Sequence, residues 1–325
     1  MGAPKVRPTR ADVNGMLWGR LQRRGALLFL VLLFAARSAL ADDDATPTYH
    51  SAASEVRITF FATDSANHPL NNITQDDFAV VDGEAIVRDF RSLAHSQETA
   101  LDVVILIDTS ESVAARLPST VKEILHLLSR SQADVSDSIS VVSFSGLQPV
   151  VLCAHDCRSS DAGPKLVSMK ASGATPLFDA VEYSANLLSR HPAANVRPVV
   201  ILFSDGDDTI SKVSASDALR AVIDSGTLLY GIDLNNFAES RGSGILQEMA
   251  ETTGGRYFPP RANTLAVLRS VFEDLRASWV VTYELPDANP GFHALRILPK
   301  HNLGLRFHCR SGYYYGTNVP QNVPQ

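Results

Sequence analysis

Five oxygen-bearing residues on three separate stretches have the types and spacing to share one metal ion: Asp108, Ser110, Ser112, Thr175 and Asp205. The first three lie in Asp108-Thr109-Ser110-Glu111-Ser112, where every side chain offers only carboxylate or hydroxyl oxygen. Thr175 sits in Gly173-Ala174-Thr175-Pro176, and Asp205 in Ser204-Asp205-Gly206. Hard divalent cations take oxygen ligands, and Mg²⁺ takes them in a near-octahedral arrangement. Hydroxyls with one or two carboxylates, completed by water, suit Mg²⁺ or Mn²⁺, with Ca²⁺ as a further option. Such a set leaves the cation under-neutralised and electrophilic. It then accepts an acidic side chain of another protein as its last ligand.

Each stretch also has a plainer reading. Ser and Asp after a strand are preferred helix caps, so Asp108-x-Ser110-x-Ser112 alone is ambiguous. Thr175 alone reads as a cap, and Asp205-Gly206 alone as a turn. All three together, in order and each at the end of an expected strand or start of an expected helix, favour the metal. Asp205-Gly206-Asp207-Asp208-Thr209 also has the D-x-D-x-T spacing of aspartyl-nucleophile phosphatases. No phosphate-binding Lys, second acidic pair, G-x-S-x-G elbow or P-loop accompanies it. Asp233 reads as a turn or cap residue, Glu111 as solvated, and the nine histidines as scattered.

The elements that must position these residues alternate between strands and helices. Val103-Val104-Ile105-Leu106-Ile107 and Val199-Val200-Ile201-Leu202-Phe203 are short, fully apolar runs, as in strands buried on both faces of a parallel sheet. They end in Asp108 and in Ser204-Asp205, where open α/β sheets bind ligands. Residues 113–130 have mostly helical spacing, with Pro118 suited to a helix start. Further helices are expected over 175–190, 214–225, 242–253 and 263–277. Pro176 falls in the first turn of the one at 175–190. The fold class is α/β: a doubly wound, mostly parallel sheet with helices on both faces, plus small flanking β segments. The boundaries are a signal peptide over 1–41, a linker over 42–53, and a small β unit over 54–95. The α/β domain follows over 100–277, then a C-terminal β segment over 278–316 and a tail over 317–325. The simplest pairing joins the two β segments into one accessory sheet.

Composition narrows the partners. Residues 1–41 hold seven Lys/Arg and one Asp, so the remaining 22 basic and 34 acidic residues leave a net charge of −12. An acidic chain argues against nucleic acid. Arg20, Arg23 and Arg24 precede the apolar run Ala26–Ala36, and Ser38-Ala39-Leu40-Ala41 offers a small-x-small cleavage site. Met16 is an alternative start. Eleven apolar residues are short for a span of about 20. A cleaved signal and a secreted or periplasmic protein are therefore expected; an uncleaved anchor is the one route to a membrane. Cys153 and Cys157 suit a local disulfide or two plain thiols. A zinc site with His155 lacks a fourth ligand, and Cys309 is left over.

Residues 101 to about 275 resemble a von Willebrand factor type A domain. That family's metal-ion-dependent adhesion site is D-x-S-x-S, a Thr in a later loop and an Asp in an S-D-G-type turn. Asp108, Ser110, Ser112, Thr175 and Asp205 stand at those positions. The resemblance implies that the two serines and the Thr lie at the metal, with the aspartates often acting through water. Asp76-Asp77-Phe78-Ala79-Val80-Val81-Asp82-Gly83 and Arg310-Ser311-Gly312-Tyr313 are similar to the D-x-F-x-V-x-D-G and R-x-G-Y elements of an exported bacterial subgroup. The implied function is an exported, metal-dependent protein-binding module for adhesion or complex assembly, not an enzyme. A partner carboxylate would complete the cation. The alternatives are an exported Mg²⁺-dependent hydrolase and a structural domain with a vestigial site.

Overall fold

The computed structural model describes residues 55–95, 99–130, 137–190, 196–237, 239–260 and 264–316. The expected signal peptide, linker and tail lie outside the described residues. Six strands form the central sheet, in the order β10 (Tyr257–Phe258), β9 (Leu228–Asp233), β8 (Val196–Ser204), β5 (Ala100–Asp108), β6 (Ser138–Phe144), β7 (Val150–Cys153). Every pairing is parallel except β6 with β7. The chain runs from β5 outward to β6 and β7, then returns to the other side of β5 for β8 and β9. The strand order therefore reverses between β5 and β8.

Alternate residues of these strands feed two cores. Val103, Ile105, Ile107, Val199, Ile201 and Phe203 face one side, packed by α1 (Leu117–Arg130), α2 (Ser159–Ser168) and α6 (Thr264–Arg276). Val104, Leu106, Val200 and Leu202 face the other, packed by α3 (Leu177–Ser189), α4 (Ala215–Asp224) and α5 (Arg241–Thr253). This two-sided burial explains why β5 and β8 read as unbroken apolar runs. Among the described helices none is long and apolar enough to cross a membrane.

Local details refine the sequence reading. The start that Pro118 suggests is close to the one observed: after a 3-10 turn at Glu111–Val113 the helix begins at Leu117, one residue before Pro118. Pro176 stands at the N-cap of α3 rather than in its first turn. Helix α2 was not expected, because Gly163 and Pro164 sit inside it and obscure its apolar face of Ala162 and Leu166. A Cys153–Cys157 disulfide ties the end of β7 to the approach to α2, so those thiols are not metal ligands; Cys309 is free.

The flanking β segments do not form one sheet. They interleave into two, ordered β13 (Arg306–Cys309), β1 (Glu55–Thr63), β11 (Trp279–Glu284), β4 (Ser92–His95) and β14 (Gly312–Tyr315), β12 (Gly291–Pro299), β2 (Phe78–Asp82), β3 (Ala85–Val87). Each sheet takes strands from both ends of the chain. Ile58, Phe60, Phe78, Val281, Tyr283, Leu295 and Ile297 share the core between them. About forty residues cannot bury enough surface alone. The N-terminal strands find it by splitting across two layers with β11–β14. The two motifs singled out in the flanking segments meet inside this core: Tyr313 and Tyr283 both donate their hydroxyls to the buried Asp82 carboxylate, each at 2.8 Å.

Candidate metal centre

Asp108 ends β5 and Ser204 ends β8, the two strands between which the order reverses. Their register pairs Ile107 with Phe203, so Asp108 and Ser204 emerge side by side. The Asp108 carboxylate is fully buried. One oxygen accepts the Ser110 backbone N–H at 2.8 Å, and the other accepts the Ser204 hydroxyl at 2.7 Å. The Ser204 Oγ in turn accepts the Gly206 N–H at 3.0 Å. A single serine hydroxyl thus couples the Asp108 turn to the turn holding Asp205. The sequence pattern marks Ser204 as a strand end and part of a turn signature, not as a bridge to Asp108. Its position one residue before Asp205, on the strand beside β5, is the signal that could have marked it.

Ser110 occupies the N-cap position of the 3-10 turn, yet its side chain makes no capping bond. Instead its hydroxyl lies 3.0 Å from that of Ser112. The helix-cap reading of the motif is therefore not what these serines do. Thr175 is buried and likewise caps no helix. Its backbone is gripped by Thr209, whose Oγ1 accepts the Thr175 N–H at 2.8 Å and whose N–H donates to the Thr175 carbonyl at 2.9 Å. The Thr175 loop is also stitched to the Asp108 turn: Glu111 N–H donates to Gly173 O at 3.2 Å, and Ser172 N–H to Thr109 O at 2.8 Å.

The third turn is held by a close approach. Gly206 has φ +79°, and a Cβ there would lie 2.1 Å from the Gly242 carbonyl oxygen. A Cβ on Gly242 would in turn lie 2.1 Å from the Asp205 carbonyl oxygen. The start of α5 thus presses directly on the Asp205 turn. Asn235 completes the grip, donating from Nδ2 to Asp205 O at 2.7 Å. Asp233 serves this scaffold, accepting Asn235 N–H, Ser243 Oγ–H and Tyr257 Oη–H.

The electrostatics leave room for a cation. Burial pushes the Asp108 carboxyl up to about 6, against its hydrogen bonds from Ser110 and Ser204, and the Asp205 charge raises it further. Among the described residues no Arg or Lys forms an ion pair with Asp108. A buried carboxylate with an acidic neighbour and no basic partner is costly unless a cation compensates it. Among the described residues no group of three or more His, Cys, Asp or Glu is placed to hold a metal. A metal centre here would have to draw on hydroxyls, for which Ser110, Ser112 and Thr175 are the candidates. The donor chemistry fits a hard divalent ion.

The von Willebrand factor type A domain model matches residues 102–273, just over half of the chain. The chain belongs to that family. The type A domain spans the central sheet and the six described α-helices, and the doubly wound architecture expected from the strand pattern is the one observed. No curated protein matches the sequence. Among solved structures, the chain is similar to an aerotolerance-related membrane protein of Bacteroides fragilis, at 19% identity and TM-score 0.44, covering 54% of this chain and 98% of that one. It is similar to the conserved hypothetical protein BatB of Bacteroides thetaiotaomicron, at 18% identity and TM-score 0.42, with the same coverage of 54% and 98%. A third is proximal thread matrix protein 1 of the mussel byssus, described with a zinc-occupied MIDAS motif, at 16% identity and TM-score 0.45, covering 60% of this chain and 50% of that one. Type A domains commonly mediate protein–protein interaction and commonly bind a divalent metal.

Proposed function

We propose that this protein is an exported, metal-dependent protein-binding module. In this reading Asp108, Ser110, Ser112, Thr175 and Asp205 hold Mg²⁺ or Mn²⁺, directly or through water. The bound ion supplies Lewis acidity toward an acidic side chain of the partner. The observation that carries the reading is the Asp108–Ser204–Gly206 hydrogen-bond chain at the strand-order reversal. It joins two of the three oxygen-bearing turns, and the third is stitched to the first through Gly173 and Ser172.

The surroundings support a macromolecular ligand. Leu147 and Phe237 are 83% and 76% exposed. Leu147 follows Gly146, whose N–H donates to Ala174 O at 2.8 Å, beside Thr175. Phe237 follows Asn235, which bonds Asp205. Large apolar side chains on the rim of a charged site suit a protein partner, in whose interface they become buried. The hydrolase alternative has less support. The Thr209 hydroxyl, third member of its D-x-D-x-T pattern, is committed to the Thr175 backbone. The leader-like first 41 residues favour an extracytoplasmic setting.

The test is titration calorimetry with Mg²⁺ and Mn²⁺ on the protein and on Asp108→Ala. Saturable binding lost in the variant is expected. No binding of either ion would overturn the reading in favour of a vestigial site. Metal-dependent turnover of phosphoester, ester or peptide substrates, abolished in Asp205→Ala, would replace it with the hydrolase.

A further inference from the structure

A second polar site lies at the opposite end of the sheet. The strands β5 and β8 deliver Asp108 and Asp205 at their carboxyl ends. At the amino end of β9, where the β-sandwich packs against the type A domain, there is a cavity of about 130 Å³. Its walls include Arg57 and Thr59 of β1, Thr227 just before β9, Thr253 at the end of α5, and Arg310 between β13 and β14. At roughly 30 Å³ per water, the volume suits a group of about four water equivalents. That is the size of a small oxyanion. Among the described residues no acidic one lines it.

Arg310 is the unusual member. It is the arginine of the R-x-G-Y element, and nothing in the metal centre uses it. It is half-buried, and desolvation holds its guanidinium below the ordinary arginine value. Among the described residues it forms no salt bridge, although the Asp82 carboxylate attracts it from beyond contact distance. Its Nη2 donates to the Arg57 carbonyl at 3.1 Å, and its charge lies 5.4 Å from the Tyr313 ring centroid. Among the described residues its Nε is buried with no hydrogen-bond partner, as are guanidinium nitrogens of Arg116, Arg197 and Arg256. Buried guanidinium donors are normally satisfied, and an orphan one calls for an explanation. The backbone holds this arginine tightly in place: Ser311 N–H donates to Thr252 O at 2.8 Å, and a Cβ on Gly254 would meet Arg310 N at 2.5 Å. Two arginines and three threonines share the cavity walls, and guanidinium and hydroxyl donors together are a set that recognises carboxylate and phosphate.

We propose that this cavity binds a small oxyanion, a phosphate or a carboxylate, through Arg57 and Arg310, and that the bound anion fastens the β-sandwich to the type A domain. Arg57 and Thr59 belong to the sandwich, and Thr227 and Thr253 to the type A domain, so a ligand in the cavity touches both.

The test uses the full chain without added divalent cation, so the metal centre plays no part. Chloride is replaced at constant ionic strength by inorganic phosphate in one arm and by acetate in the other. Calorimetry and thermal unfolding are read in each. A one-site, saturable heat with a matching rise in Tm is expected in at least one arm, and the responding arm identifies the oxyanion. Binding at least tenfold weaker is expected in Arg57→Gln, an exposed position that should leave folding intact. Arg310→Lys keeps the charge but loses the fork and should weaken binding similarly. Absence of saturable binding in both arms overturns the proposal. So does a Tm rise that is linear in anion and equal in all three proteins, which is general salting-out.

Discussion

The Ser204 hydroxyl donates to the Asp108 carboxylate across 2.7 Å, joining the ends of two neighbouring strands whose residues lie 96 apart in the chain. The same oxygen accepts from Gly206 N–H, so removing it frees a buried carboxylate oxygen and a buried amide together. Ser204→Ala should destabilise the protein by about 1–3 kcal/mol, the cost of stranding buried polar groups. Because Ser204 orients Asp108 without being one of the proposed ligands, Mg²⁺ affinity should fall about 10–100-fold. Denaturant unfolding and calorimetry check the two effects separately. Unchanged metal affinity would remove Ser204 from the account of the site.

A second prediction concerns the two glycines at the start of α5. Gly242 leaves 2.1 Å between a would-be Cβ and the Asp205 carbonyl oxygen, whereas a Cβ on Gly244 meets nothing within 4 Å. Gly242→Ala should therefore cost about 1–3 kcal/mol by overpacking and displace the Asp205 turn. Gly244→Ala, two residues on in the same helix, should stabilise by about 0.5–1 kcal/mol. Thermal unfolding of the pair is the measurement. Equal behaviour of the two variants would show that the turn yields freely.

These two cases show what was legible in the sequence and what was not. Strands β5 and β8 stood out because burial on both faces demands an unbroken apolar run. The oxygen-bearing residues stood out because they end or follow such runs. Ser204's bond and the Gly206–Gly242 contact depend on which strand neighbours which, and no local pattern carries that. The same limit explains the two sheets of the sandwich. Asp82 and Tyr313 each lie in a recognisable element, but their pairing across 231 residues is purely tertiary. Helix α2 was hidden for a different reason. Gly163 and Pro164 contradict helix propensity, and the packing of Leu166 overrides them.

The buried tyrosine pair on Asp82 gives a third prediction. Tyr283 and Tyr313 both donate to the same carboxylate oxygen, and burial raises both phenols above their ordinary value. Tyr313→Phe should cost about 1–3 kcal/mol, and so should Tyr283→Phe. The double variant should depart from additivity by about 0.5 kcal/mol or more, because the two share an acceptor. A double-mutant cycle in urea reads this directly, and strict additivity would show that the two bonds are independent.

Stability should also depend on pH through His308. Its ring stacks on Phe61 with centroids 4.5 Å apart. Burial, aided by Arg256 and Arg306, lowers its pKa from 6.5 to about 4. The unfolded chain thus takes up a proton near pH 6.5 that the folded chain refuses until about pH 4. Its contribution is complete above 6.5 and is lost as pH falls from 6.5 toward 4, by roughly 3 kcal/mol at most. The free-energy difference between wild type and His308→Gln, measured at several pH values, should shrink over that window. A difference constant with pH would place the ring in water.

The exposed rim separates partner binding from metal binding. Leu147 and Phe237 are 83% and 76% exposed on loops bonded to the Thr175 and Asp205 turns. Neither offers a ligand atom to a cation. Leu147→Ser with Phe237→Ser should leave stability within about 0.5 kcal/mol, as surface substitutions do. Mg²⁺ affinity should stay the same. Chelator-sensitive capture of the proposed partner should fall about tenfold, the effect of losing one anchor side chain worth more than about 1 kcal/mol. Asp108→Ala should abolish both metal binding and capture. Capture that survives the double substitution intact would place the partner's apolar contacts elsewhere on the domain.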